Sequence, residues 1–149
     1  MRLSLFTDYS LRVLMFGALK EGEPFSLSEV SAAYDISRNH LVKVVNFLGK
    51  LGYLETKRGR NGGIALGMKP EDIKVGMLIR RTEDSPIVVE CFDPKTNTCP
   101  LNGMCKLKGV LGEAVQAFYG TLDRYTLRDL VAGPNRARMS ALLLPSVTP

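Results

Sequence analysis

The stretch SRNHLVKVVNFLGKLGYLETKRGRNGGIALG, residues 37–67, decides the fold of this chain. Its first half carries apolar residues at helical spacing after Ser37, a good helix cap, and it stops at the pair Leu51-Gly52. Its second half predicts two short strands, 53–57 and 63–66, joined by a turn in which Asn61-Gly62 supplies positive φ angles. A helix followed by a basic hairpin is typical of the second half of a winged helix-turn-helix domain.

Two further helices are predicted before this stretch. The second helix is opened by Ser26 or Ser28, and Glu29 follows Ser26 by three residues in the pattern of a capping box. The first helix is capped by Thr7 or Asp8. The predicted fold is therefore mainly α with a small β-hairpin, a winged helix-turn-helix domain followed by further elements.

The C-terminal half predicts a loop between two helices. We expect a helix over 70–81, a loop over most of 85–102, and a long helix that begins close to Cys105. The long helix carries an apolar stripe at spacings of three and four, formed by Leu107, Val110, Leu111, Ala114, Phe118, Leu122 and Tyr125. This stripe indicates the seam of a homodimer, and packing against its own domain is the alternative. A short helix over 126–131 closes the fold, and the tail from Gly133, which has three prolines and no acids, is expected to fray.

The distribution of charge indicates a nucleic-acid partner. The net charge is +5, and residues 38–60 hold six basic side chains against one acid, Glu55. Side chains at the start of the second helix of a helix-turn-helix reach base edges in the major groove, and a hairpin tip can lie over the backbone. The candidate DNA-binding residues are Ser28, Ser37, Arg38, Asn39, His40, Lys43, Lys57, Arg58, Arg60 and Asn61. The predicted partner is double-stranded DNA with a roughly palindromic operator, and a solvated basic face without a partner is the alternative.

All three cysteines lie in one stretch, CFDPKTNTCPLNGMC, residues 91–105. The spacing Cys91-x7-Cys99-x5-Cys105 differs from the paired C-x2-C hooks of structural zinc sites. Thiolates also hold iron-sulfur clusters, usually four per cluster, so three cysteines require a further ligand. A carboxylate, a solvent molecule or a small thiol could supply it.

Four stretches together resemble the Rrf2 family of bacterial winged-helix regulators that carry iron-sulfur clusters. They are FTDYSLR at 6–12, the stretch at 37–67, the cysteine stretch at 91–105, and AVQAFYGTLDRYTLRDLV at 114–131. Within the family the likeness is to the repressors that respond to nitric oxide. Members that control iron-sulfur assembly place a histidine three residues after the last cysteine, and this chain has Lys108 there, which argues against that branch.

The resemblance implies a ligand set. It suggests that Asp8 of one subunit completes a cluster held by Cys91, Cys99 and Cys105 of the other. Arg12, one helical turn after Asp8, could orient that carboxylate through an i,i+4 ion pair. A simple helix cap is the alternative role for Asp8. A 4Fe-4S cluster is favoured, and 2Fe-2S is also compatible with this donor set.

These observations divide the 149 residues into four parts. Residues 1–80 are the predicted DNA-binding domain, 81–106 the cluster-binding loop, 107–132 the dimerisation and closing helices, and 133–149 a flexible tail. The longest apolar run is far too short to span a bilayer, so we expect a cytoplasmic protein with no membrane partner. With one histidine, no nucleophile elbow and no phosphate-binding loop, the sequence argues against an enzyme.

Together with this resemblance, the sequence predicts a repressor that senses nitric oxide through an iron-sulfur cluster and releases its operator when the cluster reacts. Two alternatives share the same residues. One is a cluster regulator that responds to iron or oxygen status, and the other is a cluster-free thiol redox switch.

Overall fold

The computed structural model describes residues 2–59, 62–83 and 88–144. Seven helices and one hairpin follow each other along the chain in these ranges: α1 Leu5–Leu19, α2 Leu27–Tyr34, α3 Arg38–Lys50, β1 Leu54–Lys57, β2 Gly63–Leu66, α4 Val75–Thr82, α5 Lys106–Leu122, α6 Leu127–Val131 and α7 Arg136–Leu143. Short 3-10 turns lie at Pro70–Asp72 and Glu90–Phe92. The order helix, helix, helix, hairpin at the N-terminus is that of a winged helix-turn-helix, as predicted.

The N-terminal helices begin at residues whose side chains satisfy free backbone N–H groups. Ser26 and Glu29 form the predicted capping box at the start of α2. The prediction for α1 is wrong, because the cap is Ser4, whose hydroxyl accepts the N–H of Thr7 at 3.1 Å. Thr7 and Asp8 therefore lie inside the first turn of the helix.

The wing is an antiparallel pair of four-residue strands. Leu54 pairs with Leu66, and Lys57 pairs with Gly63. Positive φ was predicted for Asn61-Gly62, but in the described part of the turn it is found at Gly59, with φ of 112°, and Gly62 donates its N–H to the Gly59 carbonyl at 2.9 Å. Asn61 lies outside the described residues.

The core lies where α1 crosses α2, α3 and the C-terminal elements. Val13 and Leu14 of α1 are fully buried, and Leu41 and Leu48 of α3 pack in the same cluster. Leu127 of α6 is also buried in this cluster, so the closing helix shares one core with the N-terminal helices.

Two predictions for the C-terminal half need correction. The helix predicted over 70–81 is interrupted, because Lys74 is extended and pairs with Thr126, and α4 begins only at Val75. A helix, α7, occupies residues 136–143 within the tail that was expected to fray. It forms because Met139 and Leu143 pack against the core and Arg136 makes an ion pair with Glu21. Residues 145–149 of that tail lie outside the described ranges.

The long helix α5 begins after Cys105, as predicted, and contains no buried residue in the single chain. Leu107 and Val110 of its apolar stripe are 63% and 51% exposed. The helix ends at Leu122, so Tyr125 lies beyond it. In the part of the chain that is described, no helix is long and apolar enough to cross a membrane.

Candidate nucleic-acid interface and cysteine loop

The candidate recognition face is the exposed side of α3. Three apolar side chains of this helix, Leu41, Val44 and Leu48, are buried and fix its orientation on the core. The opposite side presents the predicted readers, since these side chains are all exposed: Ser37, Arg38, Asn39, His40 and Lys43. A helix held by one face and free on the other is the arrangement that a major groove accepts.

Contacts across the helix-turn-helix organise the start of α3. Arg38 donates from Nη1 to the hydroxyl of Ser28 in α2 at 3.2 Å. Ser37 makes no helix-capping bond, and its hydroxyl instead lies 3.1 Å from Nδ1 of His40. The His40 ring in turn lies 5.8 Å from the ring of Tyr9, measured between centroids. The first turn of α3 is thereby tied to both preceding helices.

The wing residues fall into two groups. Arg58 is exposed next to the turn, where its charge is available to a phosphate. Lys57 donates from Nζ to the carbonyl of Gly22 at 3.1 Å, so in this structure it joins the wing to the connection between α1 and α2. Arg60 and Asn61 lie outside the described residues.

Sequence reasoning missed three residues of this surface. Val42, which is 41% exposed, and Asn46 lie on the same face of α3 as Asn39, three and seven residues later. Helical periodicity alone could have identified them, and a valine can contact a thymine methyl group. Tyr9 supports the His40 ring, and no local sequence pattern indicated that contact.

The cysteine loop places its three thiols at distinct positions. Cys91 lies in the 3-10 turn at Glu90–Phe92, Cys99 in an irregular segment, and Cys105 at the residue that precedes α5. All three thiols are free and partly buried.

Hydrogen bonds between loop residues fix the segments that carry Cys91 and Cys99. The Glu90 carboxylate accepts the backbone N–H and, at 2.7 Å, the hydroxyl of Thr98. The backbone N–H bond from Thr98, followed by its hydroxyl bond, lowers the pKa of Glu90. The side-chain oxygen of Asn97 accepts the N–H of Cys99 at 3.0 Å. Glu90, next to Cys91, is therefore hydrogen-bonded to Thr98, next to Cys99.

The donor set has the right chemistry for an iron-sulfur cluster, because three soft thiolates lie within one loop. In the single chain they are not assembled into a site: within 2–59, 62–83 and 88–144, no three His, Cys, Asp or Glu side chains form a group able to hold a metal ion. Asp8 lies on α1 and pairs with Arg12 at 2.8 Å, as the i,i+4 spacing predicted. Both of these side chains are about 40% exposed, so Asp8 is accessible to another chain.

The turn that carries Asp8 is bonded to the segment that leads into the cysteine loop. The backbone N–H of Ser4 donates to Glu83 at 2.8 Å, and Thr7 donates to the buried hydroxyl of Thr82 at 2.9 Å. Burial alone would raise the pKa of Glu83, but hydrogen bonds to its carboxylate, among them those from the backbone N–H and the hydroxyl of Ser4, outweigh burial and lower that pKa. Movement of this turn would therefore strain the end of α4, nine residues before Cys91.

Comparison with known proteins gives consistent matches over nearly the whole chain. The Rrf2 family profile, described as "Iron-dependent Transcriptional regulator", matches residues 3–133. The HTH-type transcriptional regulator NsrR of Bacillus subtilis (strain 168) is 54% identical over 88% of this chain and 90% of its own length. The NsrR regulator of Halalkalibacterium halodurans is 49% identical over 96% of this chain and 97% of its own.

Solved structures show the same architecture. CymR, described as the global cysteine regulator of B. subtilis, aligns with a TM-score of 0.69 and 28% identity over 87% of this chain and 95% of its own. A structure of IscR from T. potens aligns with a TM-score of 0.69 and 26% identity over 88% of this chain and 86% of its own. The alignments include the winged helix-turn-helix as well as the C-terminal elements.

Proposed function

The chain belongs to the Rrf2 family of transcriptional regulators, and we propose that it is a homodimeric repressor whose operator binding is controlled by nitric oxide through an iron-sulfur cluster. Its relatives are named transcriptional regulators, so it is a DNA-binding regulator and not an enzyme. The observation that carries the sensing proposal is the pair of hydrogen bonds by which Ser4 and Thr7 join the Asp8 turn to the end of α4. They link the DNA-binding domain directly to the chain that enters the cysteine loop.

The DNA half of the proposal assigns a role to each exposed group of α3 and the wing. Arg38 suits guanine O6 and N7, and Asn39 suits adenine N6 and N7. Lys43 and Arg58 carry charges that suit phosphates, which fix register and supply affinity that depends on salt. Ser28 holds Arg38 from the neighbouring helix and thereby limits the directions in which its guanidinium can point.

The sensing half assigns the ligands. Cys91, Cys99 and Cys105 of one subunit and Asp8 of the partner subunit would hold the cluster, with Arg12 orienting the carboxylate. When bound, the cluster supplies iron that reacts with nitric oxide. Asp8 is a hard oxygen donor among soft thiolates, so it is the protein ligand that is released most readily.

Release of Asp8 has a short path to the recognition helix. Tyr9 follows Asp8 directly, and its ring contacts His40 in the first turn of α3. A small open groove of about 80 Å³ lies beside this contact and is lined by residues of α1 and the start of α3. Moving the population from 99:1 to 1:99 in favour of the state that does not bind DNA requires about 5.5 kcal/mol of difference between the two states.

The direct experiment is to purify the protein without oxygen, to count iron and sulfide per chain, and to follow operator binding as nitric oxide is added. We expect about four iron atoms per chain for a 4Fe-4S cluster, and release of DNA on nitric oxide but not on buffer. The Asp8→Ala protein should lose iron faster, and its DNA binding should no longer depend on nitric oxide as that of the wild type does. The matched control is Asp72→Ala, in the 3-10 turn after the wing, which should behave as the wild type. An Asp8→Ala protein with a normal cluster and normal response would contradict the ligand assignment.

A thiol redox switch is the second candidate, because all three cysteines carry free thiols that are only partly buried. It predicts no iron in protein prepared without oxygen, and reversible disulfide formation with mild oxidants. The iron count distinguishes the two candidates.

A further inference from the structure

The end of α5 is fastened to α4 by an unusually specific ion pair. Nη1 and Nη2 of Arg80 lie 2.6 and 2.7 Å from the two carboxylate oxygens of Asp123, in the parallel two-bond geometry that a guanidinium favours. The same guanidinium lies 4.4 Å from the centroid of the Tyr119 ring. A lysine would keep the positive charge, but it could neither form the two parallel hydrogen bonds nor stack on the tyrosine ring.

A glycine allows this approach. Gly76 of α4 is buried beneath Asp123, and a methyl group at its position would overlap Oδ1 of Asp123, lie 2.9 Å from Cγ and 3.0 Å from the backbone nitrogen. Because one of these atoms belongs to the backbone, a larger residue would displace the end of α5 itself and not only a side chain. We call this cluster the α4–α5 joint, and it consists of Gly76, Arg80, Tyr119 and Asp123.

A second attachment runs beside the joint. The N–H of Val75 donates to the carbonyl of Tyr125 at 3.0 Å, and the N–H of Leu127 donates to the carbonyl of Ile73 at 2.8 Å. These backbone bonds hold the start of α4 against the connection between α5 and α6. Rotation of α5 about the backbone attachment is therefore resisted by the joint.

The two helices belong to different parts of the proposed dimer. Leu78 and Ile79 of α4 are buried, so α4 is fixed to the winged domain. The exposed stripe of α5 is the proposed seam with the second copy. The angle between α4 and α5 consequently decides how far apart the two α3 helices lie.

Small changes in this angle are large on the scale of DNA. A helix of 17 residues is about 25 Å long. A rotation of about 8° at the joint moves any point that lies about that distance away by roughly 3.5 Å, close to the rise of about 3.4 Å per base pair. Successive major grooves are about 34–36 Å apart. A dimer whose two α3 helices are separated by one base-pair rise more or less than this distance therefore fits poorly.

We propose that the α4–α5 joint determines which half-site spacing the dimer accepts. The inference rests on the proposed dimer and palindromic operator, and it is independent of the cluster and of nitric oxide. Arg80 and Gly76 are positioning residues, because they act through the angle of α5 and touch no base.

The test measures spacing preference. A palindromic duplex is first selected by the wild-type protein from random-sequence DNA, and affinities are then measured for that duplex and for versions with one base pair added to or removed from its centre. The wild type should prefer its own spacing by roughly tenfold or more. Arg80→Ala and Gly76→Ala should reduce that ratio to within about threefold, with a preference that is flattened or shifted by one base pair.

Controls separate spacing from loss of folding. Arg80→Lys keeps the positive charge but removes the paired hydrogen bonds to Asp123. It should therefore weaken the preference for one half-site spacing, while the protein melts close to the wild-type temperature. Arg128→Ala breaks a more exposed ion pair, with Glu71, that does not involve α5, and it should leave the ratio unchanged. Folded variants of Arg80 and Gly76 with the wild-type ratio would overturn the inference. A wild-type protein without any spacing preference would overturn both the palindromic-dimer proposal and this one.

Discussion

The replacement Asn39→Ala tests the recognition face most directly. Asn39 is the second residue of α3 and is exposed. Within the described part of the chain its side chain makes no hydrogen bond, so its loss leaves no partner unsatisfied. The change should therefore alter the free energy of unfolding by less than about 0.5 kcal/mol.

The expected effect on DNA binding is larger and local. A side-chain amide that bonds adenine N6 and N7 contributes about 1–3 kcal/mol of discrimination against the wrong base. At room temperature this corresponds to a loss of roughly 5-fold to 150-fold in affinity for the operator. The loss should be confined to one base position in each half-site, because the phosphate contacts made by other side chains are untouched.

The assay is fluorescence anisotropy at one fixed salt concentration, with the selected operator and a panel of single-base variants. The wild type should reject changes at one position that the Asn39→Ala protein tolerates. Asn135→Ala is the matched control, since Asn135 is an exposed asparagine that precedes α7 and its side chain makes no capping bond. Equal weakening on every duplex, or no weakening at all, would refute the placement of Asn39 at a base edge.

Three further changes test the wing, the core and the link to the cysteine loop. Arg58→Glu should weaken binding to all sequences alike and make the dependence of log affinity on log salt less steep by about 0.9 or more, measured by salt titration. Leu14→Ala should lower the free energy of unfolding by about 2–5 kcal/mol in urea denaturation, because Leu14 is fully buried. The lowered pKa of Glu83 stabilises the fold above the ordinary pKa of a glutamate, and this gain is lost as pH falls through the lowered value. Melting temperatures of wild type and Glu83→Gln should therefore differ at neutral pH and converge as the pH falls through the lowered pKa, and a difference that is constant with pH would contradict the link.

The DNA-binding domain could be predicted because its signals are local. Ser26 and Glu29 satisfy each other within one turn, and Gly52, with φ of 79°, ends α3 where its sequence position indicated. The start of α1 was placed too late because Ser4, Thr7 and Asp8 are all good caps. Ser4 takes this position, and its contact with Glu83, 79 residues away, is one that no local pattern contains.

The C-terminal helix α7 illustrates the opposite case. Its sequence has no clear apolar face, and it follows Gly133 and Pro134, which usually end structure. What stabilises it is tertiary: Met139 and Leu143 reach the core, and Arg136 reaches Glu21. A helix that is stabilised by residues distant in sequence need not show a helical period of apolar residues, so its sequence alone does not predict it.

The proposed dimer offers one physical explanation for both the cysteine loop and α5. The three thiols of the loop are not brought together in the single chain. The helix α5 has 17 residues, and none of these residues is buried. A second copy that covers the α5 stripe and presents its own Asp8 would account for both observations. Dimerisation and retention of the cluster would then be thermodynamically linked, so each would strengthen the other by the same free energy. The candidate cluster ligands could therefore be proposed from the sequence, whereas their assembly would depend on a contact between two chains that no single sequence position encodes.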